Sequence, residues 1–325
     1  MFHLFEPALG RISGGLRYNW AVVDAAEGQL QRHAITGGWP EPSEQDIAAL
    51  TELIASLDGP VLLDGLIGCS LPTPLAEDRP IVQLVHALAE TPEATRRERQ
   101  HLRAADAVIA TSQFAADELR KRHGVQAVVA TPGVEERPMA VGGTGGSLIS
   151  VGAVEPNKNQ VFLAEVLEQL TARGVTGWHC TFAGPLTDAD YAQQLQQTLA
   201  TLPAGTTTVA GELDATQLAA LYHRADLLLL PSQAETFGLV VREALAAGVP
   251  AFVTAGTGAE EALGGGEALP LDENVWVEKL HQWLEDAHYR NQIKAAARTA
   301  RQRLSFGWHA TAQIIVDVLR SVSAH

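Results

Sequence analysis

The chain has 325 residues, 46% of them apolar and 19% charged, which excludes wholesale disorder and suits two α/β domains of about 150 residues each. Its net charge of −15, from 23 Lys+Arg against 38 Asp+Glu, excludes a protein that grips nucleic acid or anionic lipid through its overall field. Any anionic ligand must therefore be met by local donors.

In chain order, residues 2–5 read as a strand, followed by a Gly-containing loop and a helix from about Leu16. Met1 to Gly15 holds no basic run and no long apolar stretch, so no signal peptide is expected. Further strands are expected at 61–63, 81–85, 107–110 and 127–130, with helices at 44–56, 92–104 and 114–123 between them. Short apolar runs alternating with amphipathic ones are the mark of parallel βαβ units.

Residues 131–147 break this rhythm. They hold Pro132, Gly133, Pro138, Gly142, Gly143, Gly145 and Gly146, and read as a linker. The alternation then restarts, with strands at 148–151, 179–182, 227–230 and 251–254. Helices are expected at 160–173, 191–202, 217–224 and 239–247, the last stopped by Gly248 and Pro250. Helices from Val275 and from about Trp308 close the chain. The most apolar stretch, 227–230, is too short to span a bilayer.

The cysteines Cys69 and Cys180 lie far apart and offer neither a disulfide framework nor a metal quartet. A reducing, cytoplasmic location is expected. Asp188-Ala189-Asp190 mimics a metal-binding D-x-D motif, but it sits just before a helix, where Thr187, Asp188 or Asp190 serves more simply as an N-cap. Gly142 to Gly146 lacks the Gly-Lys-Ser/Thr ending of a P-loop. Arg96, Arg97, Arg99 and Arg103 form a basic stretch, read either as a solvated helix face or as a surface for an anionic group.

Four segments carry candidate chemistry. The first is Glu235-Thr236-Phe237-Gly238-Leu239-Val240-Val241-Arg242-Glu243, which follows a strand and opens a helix. A helix N-terminus suits a diphosphate, Gly238 lets backbone approach closely, and the two carboxylates can accept hydrogen bonds from sugar hydroxyls. The plainer alternative is that Glu235 complements the dipole and Glu243 lies on a solvated face. The second is Val151-Gly152-Ala153-Val154-Glu155-Pro156-Asn157-Lys158, where Lys158 can neutralise charge on a leaving diphosphate or be an ordinary loop lysine. The third is His86 at the end of a strand, and the fourth Ser13-Gly14-Gly15 at the start of the first helix.

These segments resemble the retaining GT-B enzymes of glycosyltransferase family 4. Glu235 to Glu243 matches their E-x7-E motif. The run from Gly211-Glu212-Leu213 through Ala225-Asp226-Leu227 to Pro231-Ser232 looks like theirs, as does Gly248-Val249-Pro250 with Thr254. Ala110-Thr111-Ser112, Glu118-Leu119, Pro132-Gly133-Val134 and Phe306-Gly307-Trp308 with Thr311-Ala312 agree as well.

The resemblance implies two Rossmann-like doubly wound α/β domains facing each other across a cleft. They would be an acceptor-side domain over 1–140 and a nucleotide-sugar domain over 141–305, with a C-terminal helix over 306–325 packing back on the first. It implies a retaining transferase that moves a hexose from a nucleotide sugar, UDP-linked by preference, to a small-molecule or glycan acceptor. No metal, cofactor or nucleic acid is expected; peripheral membrane contact is left open, with nothing in the sequence that supports it. Glu235, Lys158 and His86 would be catalytic. Gly14, Gly15, Gly152, Lys158, Phe237, Gly238, Leu239, Val240 and Glu243 would bind the donor. The sequence departs from the family at Ala153, where an Arg is usual. A GT-B protein that binds nucleotide or glycan without turnover, or a GT-B phosphorylase, are the alternatives.

Overall fold

A computed structural model describes residues 1–75 and 79–323. In chain order the first elements are β1 (Phe2–Pro7), α1 (Gly14–Ala25), β2 (Leu30–Ile35), α2 (Glu44–Ala55), β3 (Val61–Asp64) and α3 (Gly65–Gly68). They continue with β4 (Ile81–Val85), α4 (Pro92–Ala104), β5 (Ala107–Ala110), α5 (Gln113–His123) and β6 (Val128–Val129). Next come β7 (Ser147–Val151), α6 (Gln160–Ala172), β8 (His179–Ala183), α7 (Ala189–Leu199), β9 (Thr207–Gly211) and α8 (Ala215–Arg224). The remainder is β10 (Leu227–Leu230), α9 (Leu239–Ala246), β11 (Ala251–Thr254), α10 (Ala259–Ala262), β12 (Gly266–Leu269), α11 (Glu273–Glu285), α12 (Ala287–Arg301) and α13 (His309–Val322).

The chain divides into two compact units, Met1–Gly133 with Gly307–His325, and Val134–Phe306. The first contains a six-stranded sheet in the order β2-β1-β3-β4-β5-β6, the second a six-stranded sheet in the order β12-β11-β10-β7-β8-β9. Every ladder is parallel. In each sheet the chain runs first to one side and then to the other, so the order reverses between β1 and β3 and between β7 and β10. At such a switch point the loops leaving two adjacent strands diverge and open a crevice at the carboxyl edge.

The central strands form because both their faces are covered. Leu227, Leu228, Leu229 and Leu230 are all buried, as are all four residues of β3 and all five of β4. Such strands read as continuous apolar runs. Edge strands do not. In β2 only Leu30 and Ile35 are buried, and β9 and β12 carry Thr207, Thr208 and Glu267. None of these three was expected, and β6 is shorter than the strand expected at 127–130. The expected closing helix from Val275 proves to be two, because Asp286 at φ −96, ψ 98 ends α11 and caps α12.

The first unit is completed from the far end of the chain. Ala312, Ile315, Val316 and Leu319 of α13 share a buried cluster with Tyr18 and Val22 of α1. Thr311 Oγ1 donates to the Thr131 carbonyl at 2.7 Å. Gly133 permits this return, since a Cβ there would stand 2.2 Å from the Gly307 oxygen.

The glycine-rich stretch expected as a linker is bound down. Amide N–H groups of Gly143, Gly145 and Ser147 donate to the Asp226 carboxylate at 2.6, 3.1 and 3.1 Å. Lys294 Nζ donates to the same carboxylate at 2.6 Å. Burial pushes the Asp226 carboxyl up, but the Lys294 bond and the amide donors outweigh it and hold it below the usual range. The Arg99 and Arg103 side chains donate to the Arg122 and His123 carbonyls at the end of α5. This supports the solvated-face reading of that basic stretch, with a local role at a helix C-terminus.

Four histidines of this unit are held below their ordinary pKa. Burial acts on all of them; the N-terminal ammonium adds to it at His3, and the His3 charge adds to it at His33, whose ring nitrogen lies 3.0 Å from that of His3. A folded pKa below the unfolded 6.5 means that the unfolded chain binds more protons in that window. Stability is therefore full above about pH 6.5 and falls as the pH drops towards the depressed folded values. The urea midpoint is expected to be lower at pH 5.5 than at pH 7.5, and replacing both His3 and His33 with Gln is expected to flatten that dependence. An unchanged slope in the double variant would contradict the assignment to this pair.

Candidate functional site

In the second unit, two loops leave the adjacent strands β7 and β10 at the switch point. They are zipped together through Asn157. Its Nδ2 donates to the Ala234 carbonyl at 3.2 Å, its Oδ1 accepts from the Ala234 N–H at 3.0 Å, and its carbonyl accepts from the Gln233 N–H at 2.8 Å. This brings Lys158 Nζ to 2.6 Å from Glu235 Oε1. Ser232 Oγ donates to the same oxygen at 2.9 Å. The ion pair is mostly, not fully, shielded, with side-chain exposures of 23% and 12%.

Glycines set these loops. Gly152 has φ +156, and the Lys158 stem lies over it with Cγ 3.5 Å from where a Cβ would be. A Cβ on Gly258 would fall 2.0 Å from the Thr236 oxygen, while the Gly258 N–H donates to the Glu235 carbonyl at 2.8 Å. Gly238, at φ +79, is the N-cap of α9 and leaves that helix without a side-chain cap. The first N–H groups of α9 are thus not consumed by a capping oxygen, and the dipole end is suited to an anion.

Of the other expected donor residues, Phe237 is 3% exposed, its ring part of the buried cluster around β10 and β11. Only its backbone can serve a ligand. Leu239 and Val240 begin α9 and are half-buried.

Glu243 is not on a solvated face. It is 4% exposed and accepts from Tyr222 Oη at 3.0 Å. Arg137 Nη2 lies 3.8 Å from its other oxygen, with the guanidinium over the Tyr222 ring at 5.0 Å. A buried carboxylate is kept only with such partners. Tyr222→Phe is expected to cost about 1–3 kcal/mol of stability by orphaning part of this carboxylate. Thermal denaturation checks this, and an unchanged melting point would show the bond to be idle.

In the first unit the carboxyl edge holds His86 after β4, Asp64 at the end of β3, and Gly14 and Gly15 at the start of α1. Ser13 Oγ caps α1 by accepting from Leu16 N–H at 3.2 Å. Gly15 lies against the His86 ring, where a Cβ would come within 3.1 Å of it. Burial holds His86 below its ordinary pKa, against the pull of the Asp64 and Glu6 charges. Its Nε2 is 2.9 Å from Asn19 Oδ1 and 3.6 Å from Asp64 Oδ2.

Sequence reasoning missed Asn19, Asp64 and Arg137 altogether. Ser232, Asn157 and Tyr222 lay in or beside the matched motifs and could have been proposed from them. Asp188 is the N-cap of α7, accepting from Tyr191 N–H at 2.9 Å. Among the described residues no group of three His, Cys, Asp or Glu is placed to hold a metal ion, and no helix is long and apolar enough to cross a membrane.

Comparison with known proteins gives the following likenesses. Residues 140–300 match the profile of "Glycosyl transferases group 1", and residues 58–137 that of "Glycosyltransferase Family 4". The glycogen synthase of Mycobacterium tuberculosis is 35% identical over 183 residues, 53% of this chain but only 43% of the synthase. The chain thus matches less than half the length of that relative. D-inositol 3-phosphate glycosyltransferase 2 of Catenulispora acidiphila is 26% identical over 363 residues, covering 91% of this chain and 81% of its own. The crystal structure of HepE from Anabaena in complex with UDP-glucose superposes with a TM-score of 0.79 at 17% identity, covering 98% of this chain and 99% of that one. At that identity the likeness is one of fold, the GT-B arrangement of two parallel α/β sheets.

Proposed function

The chain belongs to glycosyltransferase family 4, and from that premise we propose that it is a retaining hexosyltransferase using a nucleotide sugar, UDP-linked by preference. The observation that carries this reading is the Lys158–Glu235 pair at 2.6 Å beside the uncapped N-terminus of α9. It puts a cation, a carboxylate and backbone donors on two zipped loops of one switch point.

In this reading the backbone amides of Phe237, Gly238, Leu239 and Val240 hold sugar hydroxyls and diphosphate, and the Lys158 ammonium adds to the hold on the diphosphate. Glu235 takes hydrogen bonds from the transferred sugar, and Glu243 from the ribose. The bond from the sugar C1 to the phosphate oxygen breaks, and the acceptor oxygen bonds to C1 on the same face. The acceptor proton passes to the departing phosphate, so the chain supplies positioning and charge stabilisation, not a strong base. Lys158 offsets the charge that grows on the leaving diphosphate. The preference for uridine is supported by the UDP-glucose seen in the Anabaena protein of the same fold.

The test is a thermal shift with UDP, GDP, ADP and their sugar conjugates on the wild type and Glu243→Ala. A ligand at about 100 times its dissociation constant adds about 2.7 kcal/mol. A shift with UDP and UDP-sugars that shrinks in Glu243→Ala is expected. A shift with GDP or ADP instead would overturn the uridine preference.

Ala153 favours a second reading, a protein that binds such ligands without turnover. At that position the family usually carries Arg, and here the backbone carbonyl merely accepts from Gln160 Nε2 at 2.7 Å. Binding of a nucleotide sugar with no transfer and no donor hydrolysis would select it.

A further inference from the structure

We propose that Asn157 is a positioning residue for the donor site: its side chain straps the loop after β7 to the loop after β10, and so fixes the Lys158 ammonium against the Glu235 carboxylate. The kinetic part of this inference rests on the reading of Lys158 and Glu235 as donor-site residues. The strap itself does not.

The bonds fall on the residues just before the two charges. Asn157 precedes Lys158, and Ala234 precedes Glu235. Asn157 Nδ2 donates to the Ala234 carbonyl at 3.2 Å, and Asn157 Oδ1 accepts from the Ala234 N–H at 3.0 Å. A carbonyl only accepts and a backbone N–H only donates, so the side-chain amide has one permitted orientation. Both its halves face a single residue, as the peptide groups of a neighbouring strand would. The Gln233 N–H donates to the Asn157 carbonyl at 2.8 Å, and Gln233 Nε2 to the Pro156 carbonyl at 3.2 Å. Residues 156–157 and 233–234 are thus joined by four hydrogen bonds, although 77 residues separate Asn157 from Ala234.

The two charges need this registry. Their ion pair keeps side-chain exposures of 23% and 12%, and a pair open to solvent gains little over the entropy of holding two long side chains. Lys158 closes a single 3-10 turn, Pro156–Lys158, so a shift of residue 157 moves the base of its side chain. On the other loop Ser232 Oγ already fixes Glu235 Oε1 at 2.9 Å. The registry between the loops is what Asn157 adds. The requirement is chemical and not steric. Aspartate has nearly the same shape, but sets an oxygen against the Ala234 carbonyl.

The expected consequence is a split between binding and turnover. The amides of Phe237, Gly238, Leu239 and Val240 and the Glu243 carboxylate are built on the loop and helix after β10. Lys158 comes from the other loop, and its charge counts most as the diphosphate leaves. Loosening the strap therefore lowers kcat and leaves the donor KM near its wild-type value.

The experiment has two readouts. The first is amide hydrogen exchange of the ligand-free protein. The Ala234 N–H is expected to lose protection in Asn157→Ala, while the amides of β10 and β11 keep theirs. Unchanged protection at Ala234 would overturn the proposal. The second is UDP release from UDP-glucose. In Asn157→Ala kcat is expected to fall on the order of 10–100-fold, the upper figure being that for a reacting group displaced by about 1 Å. Asn157→Asp is expected to fall likewise, since its shape does not restore the lost donor. In a Lys158→Ala background Asn157→Ala is expected to add little further loss, because it acts through Lys158. Wild-type kcat in Asn157→Ala, or losses that add in the double variant, would overturn the positioning role. No turnover of UDP-glucose by the wild type would count against the proposed function instead, and the exchange of Ala234 would still decide the strap.

Discussion

Glu235→Ala is expected to lower sugar transfer by at least about 100-fold, the loss that follows from misplacing a reacting group by about 1 Å. Two effects combine. The substitution removes the carboxylate proposed to orient the transferred sugar. It also releases Lys158, whose Nζ is held at 2.6 Å by Glu235 Oε1, itself held by Ser232 at 2.9 Å. Glu235→Gln keeps the size but loses the charge, and is expected to fall between the wild type and Ala. Turnover at saturating donor measures the effect, with the melting point as a control for folding. Full activity in Glu235→Ala would sink the proposed donor site.

The largest stability loss is expected at Asp226, outside the proposed chemistry. This carboxylate is 2% exposed and receives three backbone N–H groups and Lys294. Removing one partner of such a buried network costs about 3–5 kcal/mol, because the remaining donors are left without water or acceptor. Asp226→Ala should therefore show a much lower urea midpoint, while Lys294→Met should cost less, since the amide donors keep their acceptor. The linkage has the same sign as that of the histidines, at a lower pH. A folded pKa below the unfolded 3.8 gives stability that is complete above that value and is lost as the pH falls through the depressed one. A variant as stable as the wild type would mean that the glycine-rich segment is held by something other than Asp226.

The histidine pair, Tyr222 and Asp226 differ in how visible they were beforehand. Asp226 stood inside a matched run, yet nothing in the sequence tied it to Gly143, 83 residues earlier. The glycine cluster looked like slack chain because glycines without regular spacing usually are. In the fold two glycine amides and that of Ser147 crowd round one carboxylate, and a Cβ on Gly143 would stand 3.1 Å from it. Glu243 was visible by its spacing from Glu235, but its burial was not, because a solvated and a partnered glutamate on a helix have the same local pattern. Arg137 and Tyr222, which cover it, come from a loop and from another helix.

What the sequence determined by itself was everything that depends on short-range periodicity. Strands β3, β4, β5, β7, β10 and β11 are buried almost throughout, so their apolar runs were unambiguous. Helix α7 announced itself through the cap candidates beside it, of which Asp188 is the one used. The E-x7-E spacing likewise needed no tertiary information. Only the tertiary structure decided the edge strands β2, β9 and β12, whose residues have no continuous apolar pattern and are recruited by a neighbour's free N–H and C=O groups. It alone decided which charges meet. Lys158 and Glu235 are 77 residues apart and Asn19 and His86 are 67 apart. Their pairing follows from which loops emerge side by side at the carboxyl edge of a parallel sheet, and that is set by strand order, a property that no local window of sequence contains.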